Sequence, residues 1–64
     1  MTKYIVVHGE GSDAYYLRGT VWTSDIERAT EFETETDARN AIAKSGKFNP
    51  KAAKRARIIE SYRD

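Results

Sequence analysis

The side chain best suited to acid–base chemistry is His8, the only histidine in the chain. Its ordinary pKa lies near neutrality, so it is the one ready general base. Glu10 and Asp13 follow closely enough to approach it, but no serine or threonine stands in a nucleophile elbow. A surface histidine at the end of a strand is the simpler interpretation. The sequence therefore predicts a protein that is not an enzyme.

Cofactor and metal chemistry find equally little support in the residue types. The chain has no cysteine, and one histidine falls far short of the ligands of a structural zinc site. Gly9-Glu10-Gly11 lacks the Gly-Lys-Ser/Thr ending of a phosphate-binding loop. Paired catalytic carboxylates need a cleft, for which 64 residues leave little room. We predict no metal and no cofactor.

Charge is distributed unevenly along the chain. Residues 25–37 contain six acids and one base, whereas residues 38–59 contain seven bases and no acid. The net charge of +1 conceals this separation. Separated charges create local potentials that steer partners whatever the total. The acidic row is open to two interpretations, mimicry of DNA phosphates toward a host protein or complementarity to a helix dipole.

The basic segment 44–57 is the predicted nucleic-acid contact. Its cationic side chains suit phosphates, and an aromatic side chain among them can stack on a base. The predicted nucleic-acid-binding residues are Lys44, Lys47, Phe48, Lys51, Lys54, Arg55 and Arg57. The alternative is a solvated face that keeps a small domain soluble.

Aromatic side chains supply the predicted protein-binding residues, which are Tyr4, Tyr15, Tyr16 and Trp22. Consecutive residues of a strand point to opposite faces, so one of Tyr15 and Tyr16 faces away from a helix that covers one side. That exposed tyrosine, with Tyr4 or Trp22, would form a patch for a protein partner or a second copy of the chain. Alternatively, Trp22 and Phe32 are simply core residues.

The elements that must position these residues begin with a β-hairpin. β-Branched and aromatic residues predict strands over residues 3–8 and 14–18, joined by a glycine-rich link. Residues 21–23 begin a third strand, and Ser24 or Asp25 can cap a single helical turn after it. The third strand and this turn are expected to bring the chain back toward the β-hairpin.

One helix follows, with Thr34 as its N-cap and Gly46 as its C-terminal cap. Ala38, Ala41 and Ile42 recur at helical spacing and form its buried stripe. This helix needs a sheet to pack on, because about three turns are marginal alone.

The last third is open to two interpretations. Asn49-Pro50 is a helix-start signal, and Ala52, Ala56 and Ile59 would share a helical face. The alternation over residues 55–62, ending at Tyr62, instead favours a strand after a turn or short helix at 50–53. We predict an α+β single domain spanning residues 1–64, with a three- to four-stranded antiparallel sheet and one main helix on one face.

The residues Tyr15-Tyr16-Leu17, Trp22, Phe32 and Ala38 carry a resemblance. With the Ala-x-x-Phe step before the helix, this pattern over residues 3–45 resembles small phage and prophage proteins. Some phage proteins of this size inhibit host defence, including anti-CRISPR proteins. The resemblance implies a compact, phage-borne binding protein.

Two functions from different classes follow from these features. The first is a non-enzymatic protein that binds a host protein, and the alternative is a nucleic-acid-binding accessory protein using segment 44–57. A homodimer or a structural particle component is a third interpretation. The longest apolar run, residues 4–7, is too short for a membrane span, so we predict no membrane partner and a cytoplasmic location.

Overall fold

The computed structural model describes residues 2–61, which form four strands, two α-helices and two short 3₁₀ turns. The strands are β1 (Lys3–His8), β2 (Tyr15–Arg18), β3 (Val21–Thr23) and β4 (Arg57–Ser61). The helices are α1 (Glu35–Ser45) and α2 (Pro50–Arg55), and the 3₁₀ turns span Gly11–Asp13 and Ile26–Arg28.

The strands form one antiparallel sheet in the order β3-β2-β1-β4. This confirms the predicted α+β class, with four strands and one main helix. The ambiguous last third contains both predicted elements, since α2 extends to Arg55 and β4 follows from Arg57. Tyr62, the end of the predicted strand, lies outside the described residues. No helix within residues 2–61 is long and apolar enough to cross a membrane.

The core lies between the sheet and α1. Val6, Leu17 and Ala38 are fully buried together. Val6 pairs with Ile58 and Leu17 with Trp22 in the sheet register, so these side chains share the face toward the helices. The partly buried residues packed against this core are Trp22, Phe32, Ala41, Ile42, Ala56 and Ile58. The predicted helical stripe is therefore the buried one.

The opposite face of the sheet is also partly apolar. Ile5 and Val7 alternate with Val6, so they point away from α1, yet both are buried. Their cross-strand neighbours on that face are Ile59 and Tyr16. We call this side, with its apolar residues, the rear face.

A short segment fills a gap between β1 and β2. These two strands pair only where Val7 meets Tyr16 and His8 meets Tyr15. Beyond that point the Thr30 N–H donates to the Leu17 carbonyl at 3.0 Å, and the Tyr4 and Phe32 backbones exchange hydrogen bonds of 2.8 and 2.7 Å. Residues 30–32 therefore replace the missing part of the ladder and carry the chain to α1.

Local signals set the ends of both α-helices. The Thr34 hydroxyl accepts from the Asp37 N–H at 3.1 Å, as an N-cap should. Gly46 occupies the C-cap, but with a right-handed φ of −61° rather than the left-handed conformation typical of glycine there. A Cβ at Gly46 would lie 3.4 Å from the Ala53 Cβ, so glycine leaves space for α2. Its role is close packing of the two helices.

Candidate nucleic-acid interface

His8 ends β1 on the face that the helices cover. Its ring stacks on Tyr15 with centroids 5.5 Å apart, and it meets the Trp22 ring edge-on at 4.5 Å. Tyr15 is its register partner on β2. The Trp22 indole N–H is buried and has no hydrogen-bond acceptor among residues 2–61. Ring contacts rather than a hydrogen bond therefore hold the indole beside His8.

Helix α2 lies across this end of β1. Asn49 caps it by accepting from the Ala52 N–H at 3.2 Å, and Pro50 opens it. Ala52 is buried, whereas Lys51 and Arg55 are exposed and one turn apart. A shallow depression between α2 and the sheet is lined by His8, Asn49, Lys51, Ala52 and Arg55. We call it the β1–α2 depression.

The environment of His8 favours its neutral form. Burial lowers the pKa of the imidazole, and the nearby Arg55 guanidinium lowers the pKa further. The ring is therefore neutral at neutral pH and offers one donor and one acceptor nitrogen. The permanent positive charge of the depression comes from Lys51 and Arg55.

Phe48 lies in the turn between the two helices. The turn is tightened by hydrogen bonds from the Phe48 and Asn49 N–H groups to the Ser45 carbonyl, at 3.0 and 2.9 Å. The Phe48 side chain is 74% exposed, the most exposed of the large apolar side chains in the described part of the chain. Lys47 and Lys51 flank it in sequence and are exposed too. An aromatic ring in such a setting offers a stacking surface.

The structure divides the predicted nucleic-acid residues. Lys51 and Arg55 meet at the β1–α2 depression, while Lys47, Phe48 and Lys54 are exposed nearby on the turn and on α2. Lys44 instead lines a separate groove with Glu33 and Asp37. Arg57 pairs with Val7 on the rear face and donates to the Gly9 carbonyl at 3.0 Å. Lys44 and Arg57 therefore lie apart from the other five.

The predicted protein-binding residues do not form one patch. Tyr15 and Trp22 share the His8 cluster, Tyr16 lies on the rear face, and Tyr4 lies at the far end of β1. Tyr15 is 42% exposed although it is on the helix side, and Tyr16 is half-buried. Tyr16 does face away from α1, as expected of one of the two tyrosines, but the more exposed of the pair is Tyr15 on the helix side.

Sequence reasoning missed two residues of the depression. His8 was predicted to be a simple surface histidine, and Asn49 was noted only as a helix-start signal. Their meeting depends on α2 returning to the end of β1, about forty residues away in the chain. The local signals that were available, a strand-end histidine and a capping asparagine, describe each element separately.

A second groove is acidic. The groove beside α1 is lined by Gly19, Thr20, Glu31, Phe32, Glu33, Asp37, Asn40, Ala41 and Lys44. Glu31 also accepts a 2.9 Å hydrogen bond from the Ser61 hydroxyl. In the part of the chain that the structure describes, no three His, Asp or Glu side chains are arranged to hold a metal ion.

Comparisons with known proteins leave the function to be argued from this geometry. The chain matches no protein-family model, no curated protein and no solved structure. The resemblance to small phage proteins over residues 3–45 therefore stays a prediction.

Proposed function

We propose that this protein is a non-enzymatic nucleic-acid-binding protein that contacts single strands through α2, the α1–α2 turn and the His8–Tyr15 pair. The observation that carries the proposal is that Lys51 and Arg55 lie beside His8, whose ring stacks on the exposed Tyr15, while the exposed Phe48 lies in the turn that leads into α2. Phe48 and Tyr15 offer ring faces for bases, and Lys51 and Arg55 offer contacts for phosphates.

Unpaired positive charge at the corner formed by α2 and the α1–α2 turn supports the proposal. Within residues 2–61, the ion pairs are Arg28 with Asp25 and Arg39 with Glu35, both outside the corner. The corner's cations are Lys47, Lys51, Lys54 and Arg55, and none of them lies in either pair. A polyanion would therefore meet cations that form no salt bridge with a carboxylate of residues 2–61, despite the small net charge.

The dimensions of α2 favour single strands over a duplex. Its six residues span only about 9 Å, and Ala52 turns one side of it into the core. A recognition helix in a major groove needs a longer exposed face than this. Stacking on exposed rings requires unpaired bases, which single strands supply.

Labelled single-stranded DNA and RNA of mixed sequence provide the direct test. We expect the affinity to fall steeply with salt, as phosphate contacts require. The double variant Lys51→Glu with Arg55→Glu should abolish binding. The matched control, Lys3→Glu with Arg18→Glu, makes the same charge change on the rear face and should retain most of the affinity. Absence of binding by the wild type at low salt would exclude this function.

A second candidate function is the binding of a cytoplasmic host protein through the rear face. This function is expected of a phage-encoded inhibitor of host defence, such as an anti-CRISPR protein. The observation that favours it is exposed apolar surface there: Val21 is 60% exposed and Ile59 is 37% exposed. Register places Val21 beside Arg18 and Ile59 beside Ile5, on the same side of the sheet as Tyr16. Exposed apolar side chains on one face of the sheet can supply the apolar part of a protein contact.

Affinity capture from nuclease-treated host lysate tests this second candidate. A specific host protein should be retained by the wild type and lost on Val21→Ser with Ile59→Ser. Phe48→Ser is the control, because it removes an exposed apolar side chain that lies outside the rear face. Capture that depends on Phe48 and not on the rear face would contradict the second candidate.

A further inference from the structure

The β1–α2 depression has the polar composition of an anion site. Lys51 and Arg55 contribute only donors, and the Asn49 side-chain oxygen is already engaged by the Ala52 N–H. The Asn49 amide nitrogen is therefore the group that it can offer to a ligand. His8, which also lines the depression, adds one donor nitrogen. No carboxylate is among the residues that line the depression.

The charge of the depression distinguishes between kinds of phosphate. A phosphodiester in the middle of a strand carries one negative charge, whereas a phosphate monoester carries about −1.5 to −2 near pH 7. The two permanent charges of Lys51 and Arg55 match the monoester more closely. The Arg55 guanidinium can also bind two phosphate oxygens side by side, and a terminal group exposes three of them.

We propose that the β1–α2 depression is a subsite for the terminal phosphate monoester of a single strand. Lys51 and Arg55 neutralise the dianion, and the Asn49 amide and His8 donate hydrogen bonds to it. The neighbouring rings then serve the terminal bases, with Tyr15 beside His8 and Phe48 beside Asn49 in the chain. This inference rests on the proposed function and deepens it by naming the end of the strand as the ligand.

His8 provides a reporter that is independent of affinity. Its ring faces Tyr15 from β2, Trp22 from β3, and Lys51 and Arg55 from α2, with no acid lining that site. A bound dianion favours the imidazolium form, because it offsets the charge of Arg55. Binding of a phosphate monoester should therefore raise the pKa of His8, which NMR can follow through the ring signals.

The experiment compares one oligonucleotide in three forms: 5′-phosphorylated, 3′-phosphorylated and unphosphorylated. One phosphorylated form should bind about tenfold more tightly than the unphosphorylated form, as one added charge-assisted contact implies. The form that gains identifies the end that is recognised. Lys51→Gln with Arg55→Gln should remove this preference. Lys47→Gln, which alters the turn outside the depression, should weaken all three forms and leave their ratio unchanged.

The outcomes separate this inference from the function on which it rests. Equal affinity for all three forms, with unchanged His8 signals, would overturn the terminal subsite while leaving single-strand binding intact. Absence of binding by every form would overturn both. Inorganic phosphate should shift the His8 and Asn49 side-chain signals of the wild type but not those of the Lys51→Gln and Arg55→Gln variant.

Discussion

The acidic connection at residues 24–37 and the basic segment at residues 44–57 use their charges differently. In the acidic connection, Asp25 accepts the Glu27 N–H at 2.9 Å and pairs with Arg28 at 3.5 Å. Glu31 accepts from Ser61, which joins the connection to β4. These carboxylates therefore make contacts within the folded protein.

The basic segment has one comparable contact among the described residues, the hydrogen bond from Arg57 to the Gly9 carbonyl. Its other cations extend from α1, α2 and the turn without a salt bridge to any carboxylate within residues 2–61. Several acidic side chains of the connection thus have contacts within the protein, whereas most cations of the basic segment do not among the described residues. Positive charge that the described residues do not pair remains available to attract an external anion.

The largest effect is expected on nucleic-acid binding, from a substitution at Phe48. Phe48→Ser removes a ring that packs against little of the protein, so the free energy of unfolding should stay within about 0.5 kcal/mol. Affinity for single strands should fall by about 1–3 kcal/mol, the usual contribution of one stacked base. Anisotropy and urea denaturation measure the two quantities.

Val21→Ser is the matched control for Phe48, because Val21 is also highly exposed but lies on the rear face. It should leave affinity for nucleic acid unchanged. An equal loss of affinity in both variants would show that the effect comes from general surface hydrophobicity rather than from the basic corner.

A smaller effect, on stability alone, is expected in the acidic connection. Asp25→Ala removes the cap of the 3₁₀ turn Ile26–Arg28 together with its exposed ion pair. Unfolding should become easier by about 1 kcal/mol, nearly all of it from the cap. Nucleic-acid affinity of the folded protein should not fall.

Ser24→Ala, one residue earlier, controls for the loss of a small polar side chain at an exposed position. It should change the urea midpoint much less than Asp25→Ala does. Identical midpoints for the two variants would mean that the Asp25 carboxylate has no structural role, and the contrast between the two segments would weaken.

The smallest effect concerns pH and His8. Burial and Arg55 place the pKa of His8 in the folded protein below its ordinary value of about 6.5. Between the folded-state pKa and about pH 6.5, the unfolded chain therefore binds more protons than the folded chain. The contribution of His8 to stability is fully present above about pH 6.5 and is lost as the pH falls through the folded-state value.

Urea denaturation at a series of pH values between neutrality and mild acid, for the wild type and His8→Asn, measures this effect. The wild type should lose more stability on acidification than the variant, which cannot take up the proton. Parallel curves for the two proteins would contradict a partly buried, neutral imidazole beside Arg55.

Local chemistry made much of the fold predictable. Thr34 caps α1, Ala38 is buried, and Asp25 caps the short turn, because each depends on residues within four positions. The last third was ambiguous because its pattern fits two periodicities, and the chain uses one after the other. Tertiary contact with β1 decides where the helix ends and the strand begins.

The candidate site was only half predictable for a related reason. Lys51 and Arg55 are visible as cations in a row, but their neighbour His8 is not. Arg57 belongs to the same run of cations and yet lies on the rear face. The helix has ended before it, and successive residues of β4 point to opposite faces of the sheet. The relative exposure of Tyr15 and Tyr16 was not predictable, because it depends on where the helices pack on the sheet.

The pairing of β1 with β4 has a consequence for how the protein folds. It places Lys3 opposite Ser61 and Val7 opposite Arg57, so the described chain closes a loop of nearly its full length. Closing so long a loop costs entropy before any contact repays it, which slows folding and makes it cooperative. The β1–α2 depression lies beside this pairing, and it should therefore be absent from partially synthesised chains and form only with the complete sheet.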